Sequence, residues 1–150
     1  MKVTTVTCHL LQSKVDRPFV SARGWRYATR SSCIVEITTD EGITGWGECY
    51  GPAAVNKTLI ETQYAPRIIG RDPFDVEVVW EDLYNRIKDY GAQGFAITAL
   101  SGIDIALWDI MGRAVGKPIH KLIGGAHRTE VMAYATGLYF IDMDRLIEEA

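Results

Sequence analysis

The chain has 150 residues and lacks the marks of several protein classes. Cysteine is scarce: Cys8, Cys33 and Cys49 are odd in number, widely spaced and without a C-x-x-C pair, which suggests neither a disulfide framework nor a zinc site and fits a reducing cytoplasm. Histidine is equally sparse. His9, His120 and His127 are scattered, none at the i,i+4 or short-loop spacing of a metal pair, so packing or solvent roles are expected. There is no excess of one charge: 16 basic against 19 acidic residues leave a net charge of -3, and no whole-chain reason to bind nucleic acid or a membrane surface. No stretch approaches the roughly 20 apolar residues of a membrane span, the N-terminus is not a targeting segment, and neither repeats nor low-complexity tracts occur.

What is present is material for one good core, with 47% hydrophobic residues. β-branched residues dominate Val3 to Leu11 and Cys33 to Thr39, and Asp40-Glu41-Gly42 supplies a tight turn into Ile43 to Cys49. A three-stranded antiparallel sheet is predicted. In its third strand Ile43, Gly45, Gly47 and Cys49 share one face and Thr44, Trp46 and Glu48 the other, and two glycines on one face invite close backbone approach.

After Gly51-Pro52 the period becomes helical. Val55, Leu59 and Thr62 mark one helix; Asp72-Pro73 opens a second, carrying Val76, Val79, Trp80, Leu83 and Ile87. A third, from about Phe95 to Val115, is apolar on almost every side and must be buried, with Ile103, Trp108 and, on the second helix, Trp80 read as core. Gly116 and Pro118 stop it, Ile119 to Ile123 form a further short turn, and Gly124-Gly125 release the chain. Val131 to Leu138 alternate as a strand, and Asp142 or Asp144 caps a helix reaching Ile147 and Glu148. The last residues carry no helix-stop signal, so a strand and a helix beginning a β/α repeat are expected to continue downstream.

The carboxylates of the buried helix do not make a catalytic pair. Asp104 and Asp109 lie about 140° apart around a helix of 3.6 residues per turn, whereas Asp109 and Arg113, four apart, form an ion pair. Glu48, ending a strand, is expected to bind neighbouring backbone or Arg groups. One compositional island stands out. Arg17, Arg23, Arg26 and Arg30 alternate with Phe19, Trp25 and Tyr27 between the first two strands, with no acidic residue from Pro18 to Val35, and are read as a loop.

Ser101-Gly102-Ile103-Asp104-Ile105-Ala106-Leu107-Trp108-Asp109-Ile110, then Gly112-Arg113, Gly116-Lys117-Pro118 and Leu122-Ile123-Gly124-Gly125, resemble the signature of the mandelate racemase and muconate lactonizing branch of the enolase superfamily. Glu36 to Glu48 resembles that family's second and third strands. Gly47-Glu48-Cys49, Gly51-Pro52-Ala53, Thr98 to Ile110 and Tyr134-Ala135-Thr136-Gly137 look most similar to its acid-sugar lactone cycloisomerases.

The resemblance implies an α+β capping domain over 1–125, a three-stranded antiparallel sheet followed by a helical bundle. Residues 126–150 would then be the incomplete beginning of a modified TIM-type (β/α)7β barrel, its first strand and the start of its first helix. It implies proton removal α to a carboxylate by a Lys or His base, with Mg²⁺ stabilising the enediolate that forms. The family's Lys-x-Lys, its three acidic ligands and its His-Asp pair would lie beyond Ala150, so no catalytic or metal-binding residue is assigned within the chain. Lys117 and Lys121, in the domain-ending segment, are not catalytic. The island between the first two strands would fold over the barrel mouth and, with the segment after the third strand, place Phe19, Arg23, Trp25 and Tyr50 against substrate. Tyr139, with Thr136 and Gly137 near the C-terminal end of the first barrel strand, is a candidate wall residue.

Arg offers a planar fork for a distal carboxylate, and Arg23 is the preferred contact; the plainer alternative has Arg stems covering aromatic rings. The expected partner is a small acid sugar or lactone, acted on by cycloisomerisation, with dehydration or racemisation next. No nucleic acid or membrane partner is expected, and the resemblance implies a homo-oligomer, an octamer or smaller even-numbered assembly. The competing reading is a stand-alone, non-catalytic ligand-binding or assembly module.

Overall fold

The computed structural model of the chain describes residues 1–21, 23–91, 93–134 and 143–149. Three strands, Val3–Val20 (β1), Arg26–Thr39 (β2) and Thr44–Cys49 (β3), form an antiparallel sheet in the order β1-β2-β3, as the β-branched runs predict. The register sets Cys33 opposite Cys49, Val35 opposite Gly47 and Ile37 opposite Gly45. Every one of those residues is buried, while Trp46 and Glu48 point the other way. Gly42 turns the chain between β2 and β3, its N–H donating to the Thr39 carbonyl at 3.1 Å.

The first two strands are much longer than the alternation suggests. The Arg17 to Arg30 island, read from sequence as a loop, is mostly strand: β1 runs to Val20, β2 starts at Arg26, and only a short turn joins them. This part of the ribbon buries no face, so it lacks the period-2 apolar signal that marks a strand in sequence.

Helices follow: α1 (Ala53–Leu59), a π-helical segment (Ile60–Tyr64), α2 (Ala65–Ile68), α3 (Val76–Gly91), α4 (Phe95–Val115) and α5 (Ile119–Leu122). Pro66 has no N–H to continue the helical ladder, and it falls in the first turn of α2, just after the π-helical segment. α3 buries Val76, Val79, Leu83 and Ile87, one stripe. Trp80 departs from the expectation that it is core: it is 38% exposed and stacks on Tyr84 with ring centroids 5.0 Å apart. Adjacent to Val79 in the helix, it stands at the stripe's edge.

α4 has the predicted bounds, and its end has the predicted cap, Gly116 in the left-handed region at φ 62°. By length and composition this helix could cross a membrane, contrary to the expectation that no stretch comes close. Its packing accounts for the composition instead. Ala99, Leu100, Ile103, Ala106, Leu107 and Ile110 are buried, and the helix lies directly on β3. A Cβ added to Gly45 would strike the Ala106 carbonyl oxygen, and one on Gly47 the Gly102 carbonyl oxygen, so only glycine admits this approach.

The chain divides into two compact units, one of Met1–Leu11 with Ser31–Gly125, the other of Gln12–Arg30 with Ala126–Ala150. The first holds the three-stranded part of the sheet, α1 to α5 and the core. The second holds the two-stranded ribbon and a helix, α6 (Met143–Glu149). The strand expected over Val131–Leu138 is absent from Val131–Tyr134, which have no ladder partner among the described residues; Ala135–Leu138 lie outside them. Asp144 falls inside the first turn of α6 rather than before it, and Asp142 lies outside the described residues.

Candidate functional site

At the ribbon tip the Ser21 N–H donates to the Trp25 carbonyl at 2.9 Å, the Trp25 N–H returns to Ser21 Oγ at 3.3 Å, and Gly24 takes φ 81°. The turn is closed by its own hydrogen bonds. Its side chains remain available: Trp25 is 71% exposed, and the exposed Arg23 guanidinium has no hydrogen bond or ion pair among the described residues. A cation left unneutralised in the same turn as an exposed aromatic ring can receive an anion or a polyol.

Further down the ribbon Phe19 stacks on Tyr27 at 4.9 Å, and the Arg30 guanidinium lies 5.3 Å from the Phe19 ring and 5.2 Å from that of Tyr27. For Arg30, then, the plainer alternative holds, an arginine covering aromatic rings. Phe19 is half-buried in that stack, whereas Arg23 and Trp25 are presented.

Tyr50 follows β3 directly and is 85% exposed. Its main chain is fixed: the wholly buried Asn56 donates from Nδ2 to the Tyr50 carbonyl at 2.9 Å. Asn56 was not picked out from the sequence, because a single Asn in an amphipathic helix reads as part of the polar face. Its partners become visible only when Tyr50 and α4 are in place. Tyr139, with Thr136 and Gly137, lies outside the described residues.

The other polar groups are engaged structurally. Arg113 Nε donates to Asp109 Oδ2 at 2.8 Å, the predicted pair, and the Trp46 N–H donates to the same oxygen. Burial, with a smaller contribution from Glu77, raises the Asp104 carboxyl of α4 above its ordinary value. Glu48 accepts from the Ser32 hydroxyl, not from backbone or arginine as expected. His9 Nε2 and Glu36 Oε2 are 2.7 Å apart, with the His9 ring 5.8 Å from that of Trp46. Cys8, Cys33 and Cys49, far apart in sequence, are free and buried, with Cys33 opposite Cys49 in the β2–β3 register. Burial pushes the Cys8 and Cys49 thiols up to about 12, so none is a ready nucleophile.

Comparison with known proteins agrees with a three-stranded antiparallel sheet followed by helices. Residues 3–124 match the family described as mandelate racemase / muconate lactonizing enzyme, N-terminal domain. The chain belongs to this family. It is 47% identical over 151 residues to D-galactarolactone cycloisomerase from Agrobacterium fabrum, covering 100% of the chain and 39% of that protein. With arabinonate dehydratase from Saccharolobus solfataricus it is 40% identical over 139 residues, covering 89% of the chain and 37% of the relative. The crystal structure of 3,6-anhydro-D-galactonate cycloisomerase from Zobellia galactanivorans superposes with a TM-score of 0.85 at 38% identity, over 99% of this chain and 38% of that one. The chain thus spans about two fifths of the length of these relatives.

Membership in the mandelate racemase / muconate lactonizing enzyme family bears on the metal. Enolase-superfamily members generally use Mg²⁺. Among the described residues no group of three His, Cys, Asp or Glu could hold such an ion. The residues at hand therefore do not fit it; the ribbon tip and the segment after β3 instead expose the Arg23 guanidinium and the rings of Trp25 and Tyr50.

Proposed function

We propose that the chain is the capping domain of a Mg²⁺-dependent enolase-superfamily enzyme that removes a proton α to the carboxylate of an acid sugar or its lactone. Cycloisomerisation is the first choice of reaction, dehydration and racemisation the next. In this reading residues 1–125 form the cap and 126–150 begin a barrel domain, whose remainder supplies the bases and metal ligands. The cap's contribution is substrate recognition. Phe19, Arg23 and Trp25 of the ribbon and Tyr50 after β3 contact the substrate end away from the metal, and Tyr139 is a wall residue on the barrel side.

The observation that carries this is the uncompensated Arg23 beside the exposed Trp25, at the tip of a ribbon with no acidic residue from Pro18 to Val35. Sugar acids bear a carboxylate and several hydroxyls. A bidentate guanidinium and an aromatic face suit them, and a closing cap would exclude water and strengthen those contacts. Relatives named as a galactarolactone cycloisomerase and an arabinonate dehydratase support the substrate class. We also propose a cytoplasmic homo-oligomer of even subunit number.

The test is to assay the full-length enzyme that carries this domain against a panel of aldarolactones, aldonates and aldarates, with and without Mg²⁺. Turnover of one of them, abolished by EDTA and restored by Mg²⁺, is expected. Tight sugar-acid binding by the 150-residue chain alone, with no turnover by the longer protein, would instead mark a stand-alone binding module.

A further inference from the structure

Asn56 has no exposed surface, yet both ends of its amide are engaged. Nδ2 donates to the Tyr50 carbonyl at 2.9 Å, and Oδ1 accepts from the Thr98 hydroxyl at 2.9 Å, while its backbone N–H bonds the Pro52 carbonyl at 3.2 Å. A fully buried amide with such partners is costly to disturb and geometrically specific. One side chain in α1 therefore ties the segment leaving β3 to the first turn of α4. Gly51 contributes by taking φ 96°, and a Cβ there would sit 3.6 Å from the Phe95 ring. The main chain at Tyr50 is fixed from inside while its ring is 85% exposed.

We infer that Asn56 is a positioning residue: with Thr98 it sets where Tyr50 meets the substrate, and so tunes the choice among acid sugars. This rests on the reading that Tyr50 faces an acid sugar. The reason is geometric, since a displacement of order 1 Å in a substrate-contacting group changes rates by large factors. Asn56→Asp keeps the shape but replaces a donor with a carboxylate oxygen facing the Tyr50 carbonyl. Thr98→Val removes the other anchor and leaves the Asn56–Tyr50 bond in place.

Two readouts in the full-length enzyme decide the matter. Amide exchange at Val55 and Asn56, whose N–H groups both bond the Pro52 carbonyl, reports the local hold. The ratio of kcat/KM for two acid sugars differing at the end remote from the carboxylate reports selectivity. Asn56→Asp is expected to speed exchange and change the ratio by about tenfold, chiefly through KM, with Thr98→Val shifting both in the same direction by about threefold. A purely structural role would lower stability and the active fraction equally for both substrates, leaving the ratio unmoved.

Faster exchange with an unchanged ratio, in an enzyme whose ratio Tyr50→Ala does change, overturns the inference. Unchanged exchange in folded Asn56→Asp does so as well. If Asn56→Asp does not fold, Thr98→Val is judged by the same criteria. Tyr50→Ala without effect on either substrate overturns the underlying reading of Tyr50 instead, while the exchange data still report the hold.

Discussion

The Trp46 backbone N–H donates a 3.0 Å hydrogen bond to Asp109 Oδ2, the oxygen that also accepts from Arg113 Nε at 2.8 Å. β3 is an edge strand, and this carboxylate from α4 satisfies a donor that a further strand would otherwise take. Asp109 is read as a clamp between helix and sheet.

Asp109→Ala should destabilise the domain by about 1–2 kcal/mol, mostly from the orphaned N–H, since the half-exposed Arg113 pair is worth only about 0.3–0.5. Asp109→Asn keeps an acceptor and should lose less than half as much. Urea unfolding measures both, and equal losses in the two variants would show that the ion pair dominates.

Gly47→Ala should cost about 2–3 kcal/mol or more, because the new methyl meets the Gly102 carbonyl, backbone that cannot move aside without shifting α4. Gly42→Ala is the control, strained by a φ of 77° but with open space around it. Thermal melts of the two variants should separate crowding from backbone strain, with Gly47→Ala the lower.

For the proposed substrate contact, Arg23→Ala in the full-length enzyme should raise KM for its acid sugar about tenfold or more without changing the melting temperature. Arg23→Lys, which keeps the charge and loses the fork, should recover only part of the affinity. Unchanged kinetics in Arg23→Ala would remove Arg23 from the site.

The three buried thiols give a pH-dependent signature. Cys8 and Cys49 are raised from 9.0 to about 12, so between those values the unfolded chain releases protons that the native state retains. The unfolded state binds fewer protons there, and stability falls as pH rises through that window. Below pH 9 both states are protonated and the thiols contribute no slope. Tyr64, raised from 10.0 to about 12 by burial, adds to the fall above pH 10. Urea midpoints at pH 8, 9.5 and 10.5 should drop more steeply in the wild type than in Cys8→Ala/Cys49→Ala. A thiol reagent at pH 8 should find all three cysteines slow in native protein and fast after unfolding.

Much of the architecture was legible because burial leaves a period behind. α4 was bounded from Phe95 to Val115 by an apolar run ending in a glycine cap, the β2–β3 turn by Asp40-Glu41-Gly42, and the close approach at β3 by two glycines on one face. The ribbon was not legible, since strands that bury nothing alternate nothing. Trp80 was misplaced because a helix with residues 76, 79, 80, 83 and 87 all apolar has one position too many for its buried stripe. The cysteine row across β1, β2 and β3 and the Asn56 bridge depend on register and tertiary contact, which no single stretch of chain encodes. Of the expected substrate contacts, the exposure of Arg23, Trp25 and Tyr50 is consistent with that role, while Phe19 is engaged in an aromatic stack.

β2 carries two neighbours along its second half and one along its first. From Cys33 onward it is sandwiched between β1 and β3, and before that it is half of a two-stranded ribbon, an arrangement that is marginal in water by itself. A single strand thus runs from an end that opens only with the whole domain to an end that can fray alone, like a rope lashed for half its length. The boundary falls near Ser32. Substitutions on the free side can therefore be taken up with little penalty to folding, so the sequence of the tip can diverge while the residues of the core stay the same.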